Sequence, residues 1–419
     1  MANKICIFEG INYRNLLPLV HFRPVYNLRT GILSLREKIE RNYPNTPIVL
    51  HARDYLKDVV QQNNPSLVVN NFEGNNILFI NGRVIAKENF SEMIPLKGTD
   101  RLYVNGDDIV AARISGSKLK EIKRALHGLL DHESFEGLIK EEVDVQLIKY
   151  PWDLVHTNGD QIINDFKLID KSNNLENAKI YDGVYLLNKD SIYIGEGTTI
   201  KPGVTIDAED GPVYIGKNVT IYPNAYIQGP CYIGDKSIIK VNAAIYKNTS
   251  IGKVCKVGGE IEDSIIHGYS NKQHDGFLGH SYLGSWVNLG ASTTNSDLKN
   301  NYGSVKVIIN NEQIDSGQQF VGLTMGDHSK ASINSIFNTG TVVGVSCNIF
   351  GEGFPPKYIP SFSWGGKEML TTYNIDKAEE VAERVMLRRN IPFTDIDKKL
   401  FAAVYDFTSE ERRKRGMPF

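Results

Sequence analysis

The chain is expected to fold as an α/β domain followed by a parallel β-solenoid of six-residue repeats, finished by C-terminal helices. Three observations predict this. Branched aliphatic residues return every six positions across residues 193–257. Strand-like and helix-like segments alternate through roughly the first 165 residues, the pattern of a mostly parallel sheet covered by helices. Past a proline-bearing stretch at 355–360, two segments show helical apolar periodicity.

The sixfold beat carries the most weight. Ile194, Ile200 and Ile206 form one run, and after a slip at 208–211 come Ile215, Ile221, Ile227, Ile233, Ile239, Ile245, Ile251 and Val257. A period of six fits neither the helical repeat near 3.6 nor strand alternation. It fits a solenoid in which each short strand sends one side chain inward and then turns. A single hexad buries almost nothing, whereas stacked coils bury a continuous column and pair their backbones. β-branched residues suit those inward positions because a pleated surface costs them little χ1 freedom. The beat is disturbed at 260–273 and resumes with Phe277, Leu283 and Leu289. It breaks again at 295–319 and returns with Met325, Ala331, Phe337, Val343 and Ile349. Insertions into a solenoid emerge as loops, and 307–317, with Asn310-Asn311 at its centre, reads as a projecting hairpin. These patterns place an N-terminal domain at 1–168, a polar linker at 169–179, the solenoid at 180–350, and a cap with helices at 351–419.

Composition narrows the function classes. The 419 residues exceed one compact core, and a net charge of −2 with both signs intermixed argues against nucleic-acid or polybasic membrane binding. No apolar run approaches a membrane span. The opening MANKICIFEG does not read as a secretory signal, so a cytoplasmic location is expected. Cys6, Cys231, Cys255 and Cys347 form no CxxC pair and read as reduced packing residues.

In the N-terminal region, 5–8 is a strand, followed by the turn Glu9-Gly10 and an arginine-bearing loop. A helix at 31–42 carries Ile32, Leu35 and Ile39 on one face; strands follow at 47–51, 66–69, 77–80 and 101–104, with helices at 117–130 and 135–142. Sheets of this kind bind ligands beyond the carboxyl ends of their strands. Asn105-Gly106-Asp107-Asp108 has the residues of a good turn.

The run IFEGINYRNLLPLVHFRP resembles the opening of sugar-phosphate nucleotidyltransferases. Across the wider segment, FEG, NLLPL, RPVYNLR, LREK, PWDL and DF resemble a divergent, shortened subgroup related to the bifunctional uridylyltransferase/acetyltransferase GlmU. The resemblance implies a Rossmann-like nucleotidyltransferase-type domain. Within it, Arg14 and Arg23 would contact nucleotide phosphates, and Asp107 and Asp153 would help hold Mg²⁺. The chain departs from the family pattern in keeping only Gly10 of the glycine-rich loop. Leu19 or Arg23 stands where the signature lysine falls.

NKQHDGFLGHSYLGSWVNLGAST resembles the acetyltransferase half of the same family. The match puts His274 at the catalytic base, Phe277 at a substrate-contacting tyrosine, and Asn288 at the substrate asparagine. Ala291 falls in the Gly-Ala-Gly-Thr element on the acetyl-CoA side. Lys299 and Tyr302 stand near further sugar-phosphate contacts, and Lys330, Asn338, Thr339 and Lys357 are candidates for acetyl-CoA. The family fold is a left-handed β-helix assembled as a homotrimer. Acetyl transfer to an amine needs an acceptor for the proton that the amine sheds, and an imidazole, with an unperturbed pKa of ~6.5, suits that role.

The resemblance therefore implies an acetyl-CoA-dependent N-acetyltransferase acting on an amino-sugar phosphate such as glucosamine 1-phosphate. It would carry an attached sugar-1-phosphate nucleotidyltransferase-like domain and serve the synthesis of UDP-N-acetylglucosamine-type cell-envelope precursors. Two alternatives stand beside it: a nucleotidyltransferase whose solenoid only oligomerises, and a non-catalytic trimer that binds sugar nucleotides. At the C-terminal end, Pro355, Pro356 and Pro360 are expected to end the coil stack. Two helices are expected at 376–389 and 394–414, with EERRKRG as a solvated tail.

Overall fold

The computed structural model describes residues 4–417 apart from 73, 126–127, 173–174 and 176. The N-terminal domain is a seven-stranded sheet in the order β3-β2-β1-β4-β6-β5-β7. Its strands are β1 (Ile5–Phe8), β2 (Ile48–Leu50), β3 (Val68–Val69), β4 (Asn76–Asn81), β5 (Arg101–Asn105), β6 (Asp108–Ser115) and β7 (Lys140–Glu142). The half from β3 to β4 is parallel, while β6 runs antiparallel to both β4 and β5. The Asn-Gly-Asp-Asp segment is indeed a turn, with Gly106 at φ 57, and it opens β6, which the sequence reading left out. Expected helix 135–142 is instead a buried Phe135 turn followed by β7, whose backbone pairs with the free edge of β5. Pairing an open sheet edge outweighs the local helical pattern there.

Helix α1 (Leu35–Asn42) starts at Ser34, which forms a reciprocal capping box with Glu37. It packs on one face of the sheet with α2 (Lys57–Asn63), and α3 (Phe90–Met93) lies beside it. The opposite face is covered by α4 (Gly116–Ala125) and packs Cys6, Phe8, Val49 and Phe79 against Leu119 and Ile122. The expected helix 117–130 crosses residues 126–127, which lie outside the described residues, as do 173–174 and 176 of the expected linker.

Short, mostly parallel strands of the solenoid form sheets of nine, eleven and six strands, with Thr294–Asn295 and Ile336–Phe337 pairing separately. Every expected inward aliphatic from Ile194 to Val257 is fully buried in one column. Where the beat falters, the coils shorten: Ile265 pairs with Tyr282 and Ile261 with Leu278, one coil on. This moves the inward position from Phe277 to Leu278, which is buried, and turns Phe277 outward. Lys272 takes an inward position in the next sheet, between Val257 and Leu289. The insertion carries the expected hairpin, Lys306–Ile309 against Glu312–Asp315. Coils continue beyond 350: Tyr358–Ile359 pairs with Val342–Val343, and Trp364–Gly365 with Asn348–Ile349. Pro355, Pro356 and Pro360 sit outside the strands of this last coil, where no ladder N–H is needed.

Helices α5 (Pro151–His156) and α6 (Asn158–Lys167) dock the N-terminal domain on one solenoid face. The Asn158 side chain receives Gly31 N at 2.7 Å and Ser250 Oγ at 3.0 Å, and donates to Asn248 O at 2.7 Å. At the far end are α7 (Ile375–Leu387), α8 (Asp395–Phe407) and α9 (Ser409–Lys414). Leu400, Phe401 and Val404 of α8 complete the same core as β1, α1 and α2. The expected solvated tail is anchored: Arg412 is fully buried and donates to Ser361 O, Thr408 Oγ1 and Tyr405 O.

Candidate functional site

The loop after β1 is where a sheet of this type would take a nucleotide. Glu9 is buried there, accepting from Val25 N at 2.9 Å and Arg53 N at 3.1 Å, and it is ion-paired to the Arg53 guanidinium. Gly10 forms a bridge with Leu130, and a Cβ on it would meet Leu130 O at 3.2 Å. The remaining cavity, lined by Gly10, Asn81, Arg83, Asp107 and His132, holds about 40 Å³. Ligand pockets run to roughly 300–1,000 Å³. A larger cavity of about 680 Å³ lies beside α1 and α6, floored by the buried Lys38–Asp165 ion pair.

Of the residues expected to serve that loop, Asp107 lines the small cavity beside Gly10 and Arg14 stands on the turn that follows it, while Arg23 and Asp153 are engaged elsewhere. Arg14 is exposed, and its carbonyl accepts from Asn310 of the hairpin at 2.9 Å. Arg23 is largely buried in the seam between domains, ion-paired to Asp327 of the solenoid. Asp153 accepts from Lys149 N and Tyr150 N at the start of α5, and burial raises its pKa. Asp108 is ion-paired to Arg83 and, at 3.3 Å, to Lys149. Among the described residues, no group of three or more His, Cys, Asp or Glu side chains is placed to hold a metal ion.

On the solenoid the motif residues sit one coil apart at one corner. Lys272 is buried, and its ammonium donates to Gly258 O at 3.1 Å, His274 O at 2.6 Å and Asp275 O at 2.9 Å. Burial lowers its pKa from the ordinary 10.5 to about 8. Through these bonds the inward lysine fixes the turn 273–276. His274 stands on that turn with its side chain exposed. Asp275 accepts from Ser292 Oγ at 2.8 Å, which ties His274's turn to the Ala291–Ser292 corner of the next coil. Gly276 has φ +99, and a Cβ there would meet Thr293 O at 2.1 Å, so only glycine lets the two corners close up. Asn288, on the strand leading into that corner, accepts from Asn271 Nδ2 at 3.3 Å.

A second imidazole lies across the same sheet at the next corner. His280 Nδ1 is 2.8 Å from Asp297 Oδ2, and its Nε2 is 3.9 Å from Asp263 Oδ2. The ring stacks on Phe320 and lies 5.7 Å from the ring of His156 of α5. Asp297 reaches over Gly279, where a Cβ would meet its carboxylate at 2.3 Å. The pKa of nearby Glu262 is raised by burial and by Asp263, while that of His156 is lowered by burial and by His280. His280 falls at none of the motif positions read from the sequence. Its partner was legible only through coil length, because His280 and Asp297 are 17 residues apart, one shortened coil.

The other expected contacts divide among three places. Lys299 donates to Ser304 O at 3.0 Å and lies near Lys357, whose pKa is lowered by burial and by Lys299. Tyr302 is exposed on the insertion, and Gln319 donates to its carbonyl. Asn338 caps its own turn by accepting from Thr339 N at 2.8 Å, and Thr339 is buried. Lys330 lies apart from these, beneath α7.

The fold and these sites define a class: a sugar nucleotidyltransferase-type domain joined to a hexapeptide-repeat solenoid of the bacterial transferase kind. Residues 5–174 match the sugar nucleotidyl transferase family, and 212–247 match the bacterial transferase hexapeptide repeats. Within that class the chain is similar over about half its length to bifunctional proteins of the GlmU type. It is 27% identical over 190 residues to the bifunctional protein GlmU of Wigglesworthia glossinidia brevipalpis, covering 45% of this chain and 38% of the relative. It is also 27% identical over 241 residues to a bifunctional sugar-1-phosphate nucleotidylyltransferase/acetyltransferase of Sulfurisphaera tokodaii, covering 55% and 53%. The chain thus spans about half or less of the length of these relatives. A Francisella novicida UDP-N-acetylglucosamine acyltransferase structure overlays with a TM-score of 0.30 at 20% identity, covering 57% of this chain and 83% of that one. No helix among the described residues is long and apolar enough to cross a membrane.

Proposed function

We propose that the solenoid is an acetyl-CoA-dependent N-acetyltransferase acting on an amino-sugar phosphate, with His274 accepting the proton. The observation that carries this is the stacking of the motif corners: the His274 turn is fixed from inside by Lys272 and joined to Ala291–Ser292 by Asp275. As the amine nitrogen bonds to the thioester carbonyl carbon, His274 takes the amine proton; when the C–S bond breaks, the proton goes to the departing thiolate. Acetyl-CoA, when bound, supplies the activated acyl group. Neighbouring Lys299 and Lys357 fit its phosphates, and an exposed His274 is open to the acceptor. Val241, Ile333 and Phe350 are exposed apolar side chains on the corners that follow the Lys272 sheet, as is His274. Their alignment supports a homotrimer with the site facing a neighbouring subunit.

The His280–Asp297 pair favours a second reading in which His280 accepts the proton and His274 only binds. The test incubates the protein with acetyl-CoA and a panel of amino-sugar phosphates while recording free thiol, with pyrophosphate release from UTP, dTTP or GTP and Mg²⁺ run in parallel. Thiol release is expected, and His274→Ala should lower it by about 10²–10⁴-fold, the range for loss of a general base. Loss confined to His280→Ala moves the role to that residue. Pyrophosphate release without thiol release would overturn the proposal.

A further inference from the structure

Between the last coils and α7 lies a cavity of about 250 Å³ that the acetyl-transfer reading does not use. Its floor is polar. Ser346 and His328 are more than nine-tenths buried, and Ser346 Oγ and His328 Nδ1 have no hydrogen-bond partner among the described residues. Lys330 projects beside them, and among the described residues its ammonium donates to His328 O at 2.8 Å. No carboxylate lines the cavity. Trp364, Tyr373 and, on α7, Ala378 and Val381 give it an apolar and aromatic side, and Cys347 and Asn348 also line it. An open groove past Trp364 and Tyr373 leads to the surface.

Buried polar atoms in folded chains are almost always satisfied, so two orphaned ones beside an uncompensated lysine call for a partner. Water would satisfy the hydrogen bonds but leave the charge unmatched. We infer that this cavity binds a small organic monocarboxylate, its carboxylate held by Lys330 and Ser346 and its apolar body lying against Trp364 and Val381. An empty cavity of ~150 Å³ accepts benzene, so the space suits an acid of about six to twelve non-hydrogen atoms. The site stands whether or not the solenoid transfers acetyl groups. Burial lowers the pKa of Lys330 from 10.5 to about 8, which a bound carboxylate would reverse.

The experiment titrates the full chain with benzoate, and separately with neutral benzamide and inorganic phosphate, by calorimetry and Trp364 fluorescence. Benzoate is expected to bind at least about tenfold tighter than benzamide or phosphate. Lys330→Met should weaken benzoate by about tenfold or more, Ser346→Ala by less. Val381→Phe, which fills the cavity from the helix side, should abolish binding and covers the case in which Lys330→Met does not fold. Equal affinity for benzoate and benzamide, phosphate binding as tight as benzoate, no binding at all, or benzoate binding unchanged in Val381→Phe would each overturn the inference.

Discussion

Lys272 holds an inward position where the column on either side carries Val257 and Leu289. A buried ammonium is costly unless it is fully hydrogen-bonded, and here Gly258 O of the preceding coil and the His274 and Asp275 carbonyls of the turn supply that bonding. Lys272→Met keeps the volume but strands those carbonyls. Thermal unfolding should show a loss of about 1–3 kcal/mol. Acetyl transfer should fall as well, because the turn beneath His274 is released. The pH dependence follows from a base whose folded pKa is depressed. Below about pH 8 the lysine is charged in both states, and burial penalises the fold in full; between about 8 and the ordinary 10.5 the unfolded chain binds more protons, so stability rises with pH. The stability gap between wild type and Lys272→Met should therefore widen from pH 8 to 10. A gap that narrows would mean that the lysine is not desolvated in the fold.

Among elements, the coils draw their stability from the column, since each two- or three-residue strand has little of its own. Ile245 is fully buried and pairs between Ile227 and Ile261. Ile245→Ala should cost about 2–5 kcal/mol by denaturant unfolding. Ile333, 66% exposed at a corner, offers the contrast. Ile333→Ser should leave monomer stability within about 0.5 kcal/mol while weakening self-association in sedimentation, if the corner faces a neighbouring subunit. At the seam between domains, Arg23 is largely buried and Asp327 is buried. Removing one partner of such a pair strands the other charge and costs about 3–5 kcal/mol. Arg23→Met should therefore loosen the docking, seen as a second transition at lower temperature in calorimetry.

At the scale of the whole molecule, the last helices complete the first domain. Phe401 of α8 stacks on Phe22 at 4.7 Å, and α9 buries Arg412 under the final coil. A chain truncated after residue 374 should lose protection of its N-terminal sheet in limited proteolysis, although that sheet lies far away in sequence. The solenoid was legible because a period of six repeats one local decision many times over, and each repetition reinforces the others. The stacking of the corners that carry His274 and Ala291 was legible because coil stacking preserves the spacing of a motif. The seam was not. Arg23 and Asp327, 304 residues apart, carry no periodic signal, and Arg23 reads as a loop arginine until the solenoid arrives beside it. Phe277 and Leu278 show the limit within the repeat itself: a coil one residue shorter exchanges inside for outside, and only the pairing register reveals it. Local pattern thus settled which segments coil, because burial of a regular side-chain column is a near-neighbour effect. Which cavities close, which charges pair and which helices cover which sheet depended on contacts between distant segments, and those took form only when the chain folded back on itself.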